Sequence, residues 1–167
     1  MQTRQSRGFT LVELMVTLAI FAVLVGVAAP SFNAIMVGPR LGSFANALSA
    51  SATLARSEAI KRNTSVTLCA SADGAACAAS GDWEQGWIVL AGTTVVERQQ
   101  ALTANYRAQD TLAGSRSLSF QSSGAGSTQA AIKFCQATPA PGMQEKVVSI
   151  SATGRTSVAT TRTGSCP

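Results

Sequence analysis

One carboxylate, Glu13, lies in the otherwise apolar run of residues 9–32, FTLVELMVTLAIFAVLVGVAAPSF. A charged side chain at the centre of a bilayer costs roughly 2.5–3.5 kcal/mol on insertion scales, and it is tolerated when it has a partner. If the chain were cut after Gly8, Phe9 would gain a free cationic amine four residues from Glu13. An ion pair between an N-terminal amine and this carboxylate is therefore the chemistry that the spacing predicts.

Two simpler kinds of segment share some of these features. A secretory signal peptide also begins with basic residues, here Arg4 and Arg7, and Ala28-Ala29 is typical of its cleavage site. Its apolar core, however, runs only about 7–15 residues and does not contain an acid. A plain single-pass anchor needs about 20 apolar residues, which accounts for the length of the run but leaves Glu13 unexplained.

The junction RGFTLVEL, residues 7–14, resembles the class III leader and cleavage site of type IV pilins and type II secretion pseudopilins. The resemblance implies that prepilin peptidase cuts between Gly8 and Phe9 and methylates the new N-terminus at Phe9. It also implies that Glu13 meets the N-terminal amine of a neighbouring subunit during assembly. Pro30 lies where these proteins carry a helix-loosening proline.

Helix-weakening residues lie near the end of the apolar run. Pro30 removes the backbone hydrogen bond to the carbonyl of Gly26 and crowds that carbonyl. Gly26 is itself a poor helix former, so residues 26–30 are predicted to melt readily. The same weakness suits either an ordinary kinked anchor or a stem that extends within a filament, and both alternatives stay open.

The chain divides into four predicted segments. They are a leader, 1–8, a transmembrane segment, 9–32, an amphipathic continuation of the same helix, 33–62, and a β-rich globular domain, 63–167. Apolar residues of the second half of the helix recur at spacings of three and four, which places them on one face. These residues are Leu41, Phe44, Ala45, Leu48, Ala52, Ala55 and Ala59.

Short alternating segments beyond Asn63 predict an antiparallel sheet domain. Glycine-containing turns predict hairpins at Ala91-Gly92-Thr93 and at Ala152-Thr153-Gly154-Arg155. The predicted strands are Ser65–Cys69, Trp87–Leu90, Thr94–Gln99, Leu118–Phe120, Ala130–Gln136, Lys146–Ser151 and Thr156–Thr161. We expect Trp87 to lie in the core and Trp83 to form a partly exposed cover.

The four cysteines, Cys69, Cys77, Cys135 and Cys166, are expected to form disulfides in an exported domain whose aromatic content is only 5%. Three connectivities are open. We favour Cys69–Cys77 and Cys135–Cys166, worth on the order of 2.5 and 3.5–4 kcal/mol by loop entropy.

The globular part is similar to the GspH/FimT family, which groups secretion pseudopilin H with the minor pilins FimU and FimT. The similarity is carried by ARSEAIKRN (55–63), VTLCAS (66–71), DWEQGWIVL (82–90) and Gly154-Arg155. It implies an α+β fold, in which a long N-terminal transmembrane and amphipathic helix, the pilin stem, packs on a small antiparallel β-sheet domain. It also implies a single-pass protein of the bacterial inner membrane, with its C-terminal domain in the periplasm, that assembles with other minor and major pilins or pseudopilins through the helix.

Three roles compete within this family. The chain primes or joins a type IV pilus, or the pseudopilus of type II secretion, or it binds DNA for uptake as FimT-like proteins do. The DNA site of that branch resembles Gly-Arg-x-Arg, whereas this chain has Gly154-Arg155-Thr156-Ser157 and lacks the second arginine. Convergence of the basic residues Lys133, Lys146, Arg155 and Arg162 is the remaining route to phosphate binding.

The residue types present argue against catalysis. The chain has no histidine for a triad or a zinc site, and no glycine-rich phosphate loop follows a strand. Nothing in the sequence around Asp82 and Glu84 marks a cleft, so we do not interpret them as a catalytic carboxylate pair. We therefore predict an assembly protein without enzymatic activity, cofactor or metal. A plain membrane-anchored periplasmic domain stays open as a second alternative.

Overall fold

The computed structural model describes residues 9–126, 128–139 and 141–166, without the side chains of residues 27–35. Gly8 and the side chain of Pro30 lie outside this description, as does part of the predicted membrane segment 9–32, which stays a prediction. The chain forms two units, whose boundary falls between Met36 and Val37. Among the described residues, no helix combines the length and the apolar character that a membrane crossing requires.

Helix α1 covers Leu11–Arg62, and it ends where the predicted amphipathic segment ends. Thr10 precedes its first turn, and the Thr10 hydroxyl oxygen accepts the backbone N–H of Glu13 at 3.3 Å. This is the N-cap interaction that satisfies one of the free donors at a helix start. At the other end, Asn63 takes a positive φ of 52°, which closes the helix in the left-handed conformation that asparagine tolerates.

Eight strands follow the helix and form two antiparallel sheets. The strands are β1 (Val66–Ala70), β2 (Trp87–Ala91), β3 (Thr94–Gln99), β4 (Tyr106–Asp110), β5 (Ser117–Phe120), β6 (Ala130–Gln136), β7 (Glu145–Ile150) and β8 (Thr156–Thr161). The first sheet has the order β3-β2-β1-β5, and the second has the order β4-β6-β7-β8. The predicted antiparallel domain is therefore present, but it consists of two sheets.

The predicted apolar stripe of α1 lies in the core between these sheets. Six of its seven residues are fully buried, and Phe44 is partly buried. The ring of Phe44 meets that of Tyr106, in the second sheet, edge-on, with 5.4 Å between the ring centroids. On the side of the first sheet, the indole N–H of Trp87 donates to the Ser51 hydroxyl at 3.0 Å. Both sheets thus pack on one helix face, and the four alanines of the stripe allow a close approach.

The predicted strands agree with the observed ones to within one residue at each end, and both hairpins form. Strand β4 was not predicted. Its sequence, YRAQD, contains few apolar residues, yet Tyr106, Ala108 and Asp110 alternate as its buried positions. The alternation of apolar and polar residues is hidden in the sequence because one buried position is an aspartate. The Asp110 carboxylate accepts backbone N–H groups instead of facing solvent.

The expectation that Trp83 forms a partly exposed cover was wrong. Trp83 begins a 3-10 turn, Trp83–Gln85, and its side chain is completely buried. Trp83, at the start of the turn, and Trp87, at the start of β2, both lie in the core. The indole N–H of Trp83 donates to the backbone carbonyl of Ser115 at 2.9 Å, which satisfies its polar atom. The expectation that Trp87 is a core residue is confirmed.

Two glycines with similar backbone angles provide a matched test of the second hairpin. Gly154 has φ 72°, and a Cβ placed there would lie 2.5 Å from the carbonyl oxygen of Gly124. Gly92, in the first hairpin, has φ 62° and nothing within 4 Å. We expect Gly92→Ala to cost only the left-handed penalty of about 1–2 kcal/mol. Gly154→Ala should cost about 1–3 kcal/mol more, because the backbone must also move to relieve the overlap.

Equilibrium unfolding of both variants by urea measures this difference. Equal loss of stability in Gly154→Ala and Gly92→Ala would contradict the close approach of the two turns at Gly124 and Gly154.

Candidate functional site

The first unit of the structure presents an apolar surface. Its large apolar side chains from Phe9 to Val25 are roughly half exposed or more, from Val25 at 49% to Phe9 at 80%. These side chains occur on every face of the helix, since Leu11, Val12 and Leu14 are all among them. A helix that is apolar all round requires a lipid or protein environment, because water does not stabilise so large a patch.

Glu13 is the one acid in this apolar stretch. It lies in the first turn of α1, where the positive end of the helix dipole favours a carboxylate. Its backbone N–H is bound to Thr10, but within the described residues its carboxylate makes no ion pair and accepts no hydrogen bond. Phe9, whose amine is the expected partner after cleavage, precedes the helix and is exposed.

The residues Thr10 and Glu13 together form a helix-start motif that the sequence analysis overlooked. The pattern is threonine followed three residues later by glutamate, as in the capping box of helix N-termini. The signal is present in the sequence as Thr10 and Glu13, three residues apart at the start of the apolar run. Glu13 is therefore placed at the helix terminus by a local hydrogen bond as well as by its position in the run.

The disulfides link Cys69 to Cys77 and Cys135 to Cys166, which is the connectivity that we favoured. The first joins the end of β1 to the loop that follows it. The second joins β6 to the C-terminal tail, which otherwise has few apolar side chains to hold it. Each bridge thus fixes an irregular segment to a strand of one sheet.

Under this tail lies a buried ion pair. Lys133 of β6 and Glu145 of β7 are 8% and 1% exposed, and the Lys133 ammonium lies 3.1 Å from the Glu145 carboxylate. The ammonium also donates to the hydroxyls of Thr163 and Ser165 at 2.8 and 3.3 Å. The carboxylate in turn accepts from the Thr163 hydroxyl at 2.7 Å and from the Thr161 hydroxyl at 2.9 Å.

Burial alone would raise the pKa of Glu145, since it disfavours the charged form. The hydrogen bonds from Thr163, Lys133 and Thr161, together with the charge of Lys133, outweigh that effect and lower the pKa to about 2. The carboxylate is therefore ionised at all ordinary pH values, and the pair holds the tail against the second sheet.

The structure does not bring the four basic candidates together. Lys133 lies on the outer face of the second sheet, beneath the tail. Lys146 lies on the opposite face, where its ammonium donates to the Thr160 hydroxyl at 2.6 Å. Arg155 and Arg162 flank β8 at opposite ends, separated by seven residues of extended chain, or about 23 Å. Only these two arginines are exposed, so the four residues do not form one phosphate-binding surface.

Together, the α+β core, the exposed apolar first unit and the acid at its helix start define a pilin-like protein. The sequence model of the family described as type II transport protein GspH matches residues 45–154, which is more than half of the 167-residue chain. The chain therefore belongs to the GspH family of minor pilins and pseudopilins. The model of the prokaryotic N-terminal methylation motif matches residues 3–29.

Two crystal forms of the type IV minor pilin FimU of Pseudomonas aeruginosa (strain PAO1) are similar in structure. The chain is 25% identical to both. In the first form the match covers 71% of this chain and 87% of FimU, with a TM-score of 0.57. In the second it covers 71% and 91%, with a TM-score of 0.55. No curated protein sequence gives a significant match.

Because of the buried ion pair between Lys133 and Glu145, the stability of the second sheet should depend on pH. The pKa of Glu145 falls from 4.5 to about 2 on folding, so its contribution is complete above pH 4.5 and is lost as the pH falls towards 2. We expect Glu145→Gln to lose about 3–5 kcal/mol at neutral pH, because Lys133 stays buried without a counter-charge.

Glu58→Gln is the matched control, since Glu58 pairs with Arg62 at 2.6 Å on the helix surface. Solvent screens that pair, so its loss should change the stability far less than the loss of Glu145 does. Urea unfolding between pH 7 and pH 2 measures both variants. An acid-induced loss of stability that is as large in Glu145→Gln as in the unaltered protein would contradict the assigned role.

Proposed function

We propose that this chain is a minor subunit of a type IV pilus. Prepilin peptidase cuts it between Gly8 and Phe9 and methylates Phe9. Residues 9–32 hold the subunit in the inner membrane with the β-rich domain in the periplasm. The subunit then joins, or primes, a filament of other minor and major pilins through its N-terminal helix. The role is structural, as it is for the family.

The observation that carries this proposal is the carboxylate of Glu13, which has no ion-pair partner within the described residues and is surrounded by exposed apolar side chains. In an apolar environment an isolated carboxylate is strongly disfavoured, and an ammonium group at close range restores the balance. The amine that cleavage creates at Phe9 of a neighbouring subunit is such a group. The pair forms only when two stems align, so Glu13 sets the axial register of the filament.

The exposed apolar stem supports the same proposal. Before assembly, the side chains between Phe9 and Val25 face lipid, and after assembly they pack against other stems in the filament core. A Cβ built on Gly26 would meet nothing within 4 Å apart from the helix's own backbone. Gly26 and Pro30 supply the weak point at which the stem extends or bends.

The similarity to FimU favours a pilus over a secretion pseudopilus, although the family includes both. The two disulfide pairs favour the same choice. DNA uptake stays the alternative function, but the dispersed basic residues give it no geometric support, because Lys133 is buried and Arg155 and Arg162 lie at opposite ends of β8.

N-terminal processing gives the first test. Intact mass and N-terminal sequencing of the native protein from membranes should show a chain that begins at methylated Phe9. A chain that begins at Ala29 or Pro30 would instead identify a secretory signal peptide. A chain that keeps residues 1–8 in assembled filaments would contradict the proposed pairing of Glu13.

Glu13→Ala gives the second test. We expect the variant to insert in the membrane normally, since removal of a charge favours insertion. It should enter filaments at least about tenfold less, because the loss of an ion pair worth roughly 1.4 kcal/mol is sufficient for that factor. Thr17→Ala is the control, since the Thr17 hydroxyl only bonds the carbonyl of Leu14 one turn earlier. Immunoblots of sheared filaments and membranes measure both, and equal incorporation of Glu13→Ala and Thr17→Ala would exclude the assembly role of the acid.

A further inference from the structure

Strand β8 is an edge strand that carries none of the usual protections against strand pairing. It lies at the end of the second sheet, and its sequence, TSVATT, has no charge and no proline. Four of its six residues are exposed, including Val158 at 39%. Threonine and valine favour extended structure, so β8 offers an uncharged template for strand pairing.

The other three edges of the sheets are blocked. Strand β3 carries Glu97 and Arg98, and its pairing with β2 shifts register at Val89 and Leu90. Strand β5 has only four residues, and its end bridges to Gly126. Strand β4 is flanked by the 3-10 turn, from which Glu84 pairs with Arg107 at 3.2 Å. Natural sheets use such charges, bulges and short strands to prevent edge pairing.

The hydrogen-bond pattern shows which groups of β8 are free. The backbone N–H of Ser151 donates to the carbonyl of Arg155 at 3.0 Å, which makes these residues a hydrogen-bonded pair. Hydrogen-bonded pairs alternate with non-hydrogen-bonded pairs along an antiparallel ladder. The backbone groups that bond to β7 are therefore those of Ser157, Ala159 and Thr161. The N–H and C=O groups of Thr156, Val158 and Thr160 therefore point away from the sheet, and in the described chain they have no backbone partner.

Positive charge marks both ends of this free edge. Arg155 and Arg162 flank the strand, are exposed and make no ion pair within the described residues. Lys146 adds a third cation, since it donates to Thr160 from the neighbouring strand. The one acid nearby, Glu145, is already neutralised by Lys133.

The positive charges at the two ends of β8 indicate which kind of strand can pair with it. Antiparallel pairing of β8 with a second copy of the chain would place Arg155 of each copy beside Arg162 of the other. Parallel pairing of two copies would place like arginines side by side. Like charges opposite one another destabilise strand pairs, so a second copy is disfavoured. A strand with an acidic residue at each end would instead meet an arginine at each end.

We infer that β8 is a docking edge for an extended strand of a different subunit, uncharged in its middle and acidic at both ends. This inference rests on the proposed function, because it adds a lateral contact between globular domains to the contact between stems. Main-chain hydrogen bonds would supply the affinity, and the two arginines would fix the register and reject basic partners.

The test uses the full chain in detergent micelles and two synthetic fluorescent peptides. One is Glu-Thr-Val-Thr-Val-Thr-Val-Glu, whose acids have the same separation in sequence as Arg155 and Arg162. The other has lysine at both ends. We expect fluorescence anisotropy to show at least about tenfold tighter binding of the acidic peptide, with an advantage that shrinks at high salt. Equal binding of the two peptides, or no binding of the acidic one, would overturn the inference.

Val158→Pro removes one outward N–H while it leaves the ladder to β7 intact, so it should abolish binding. Val158→Thr keeps the N–H and the branched shape, and it should bind like the unaltered chain. Unchanged binding by folded Val158→Pro would overturn the inference. If circular dichroism shows that the proline variant does not fold, the double variant Arg155→Glu, Arg162→Glu decides, because it should reverse the preference between the peptides.

Two further outcomes separate this inference from the proposed function. If Glu13→Ala fails to enter filaments while the acidic peptide does not bind, the assembly role stands and the docking edge is excluded. If sedimentation shows dimers of the full chain that Val158→Pro abolishes, β8 pairs with a second copy, and the assignment of a different, acidic partner is wrong.

Discussion

The packing of one stripe of α1 against both sheets holds the globular unit together. Ala45, Ala52, Ala55 and Ala59 are all completely buried in the core that α1 forms with the two sheets. The few large side chains then fill the space that remains, above all Trp83 and Trp87, which are both completely buried. A chain with only 5% aromatic residues obtains a continuous core in this way, because one face of the helix lies in the same core as residues of both sheets.

On the outer face of the second sheet, the position of the C-terminal tail is fixed by a disulfide and a buried ion pair. The C-terminal tail covers this face, and the tail is held by the Cys135–Cys166 bridge and by the hydroxyls that bind Lys133 and Glu145. A buried ion pair stabilises little by itself, since desolvation offsets most of the attraction. It does, however, require that both partners and all their hydrogen bonds are present together. The pair therefore specifies one position of the tail, and it withdraws Lys133 from any surface role.

Two regions of the chain leave polar or apolar groups without partners in the described structure. Near the N-terminus, apolar side chains surround a carboxylate that lacks a counter-charge in the described chain, and both features call for other stems or lipid. At β8, backbone donors and acceptors lie between Arg155 and Arg162, which make no ion pair within the described residues. In the proposed function the first surface contacts other stems, and in the inference drawn from β8 the second surface selects a neighbour by charge. An assembly protein needs both kinds of contact.

Local patterns in the sequence were sufficient for much of this structure. The alternation of apolar residues located seven strands, the spacing of three and four located the buried stripe of α1, and glycine located both hairpins, because each pattern reflects geometry within a few residues. The division into two sheets, strand β4, the burial of Trp83 and the burial of Lys133 were decided by the tertiary structure. The last three depend on partners distant in the chain: Asp110 of β4 receives the N–H of Ala131, Trp83 donates to Ser115, and Lys133 meets Glu145. The residue type alone does not decide whether a charged side chain or an indole is buried. Its free energy inside the protein depends on whether the fold supplies a hydrogen-bond or ion-pair partner.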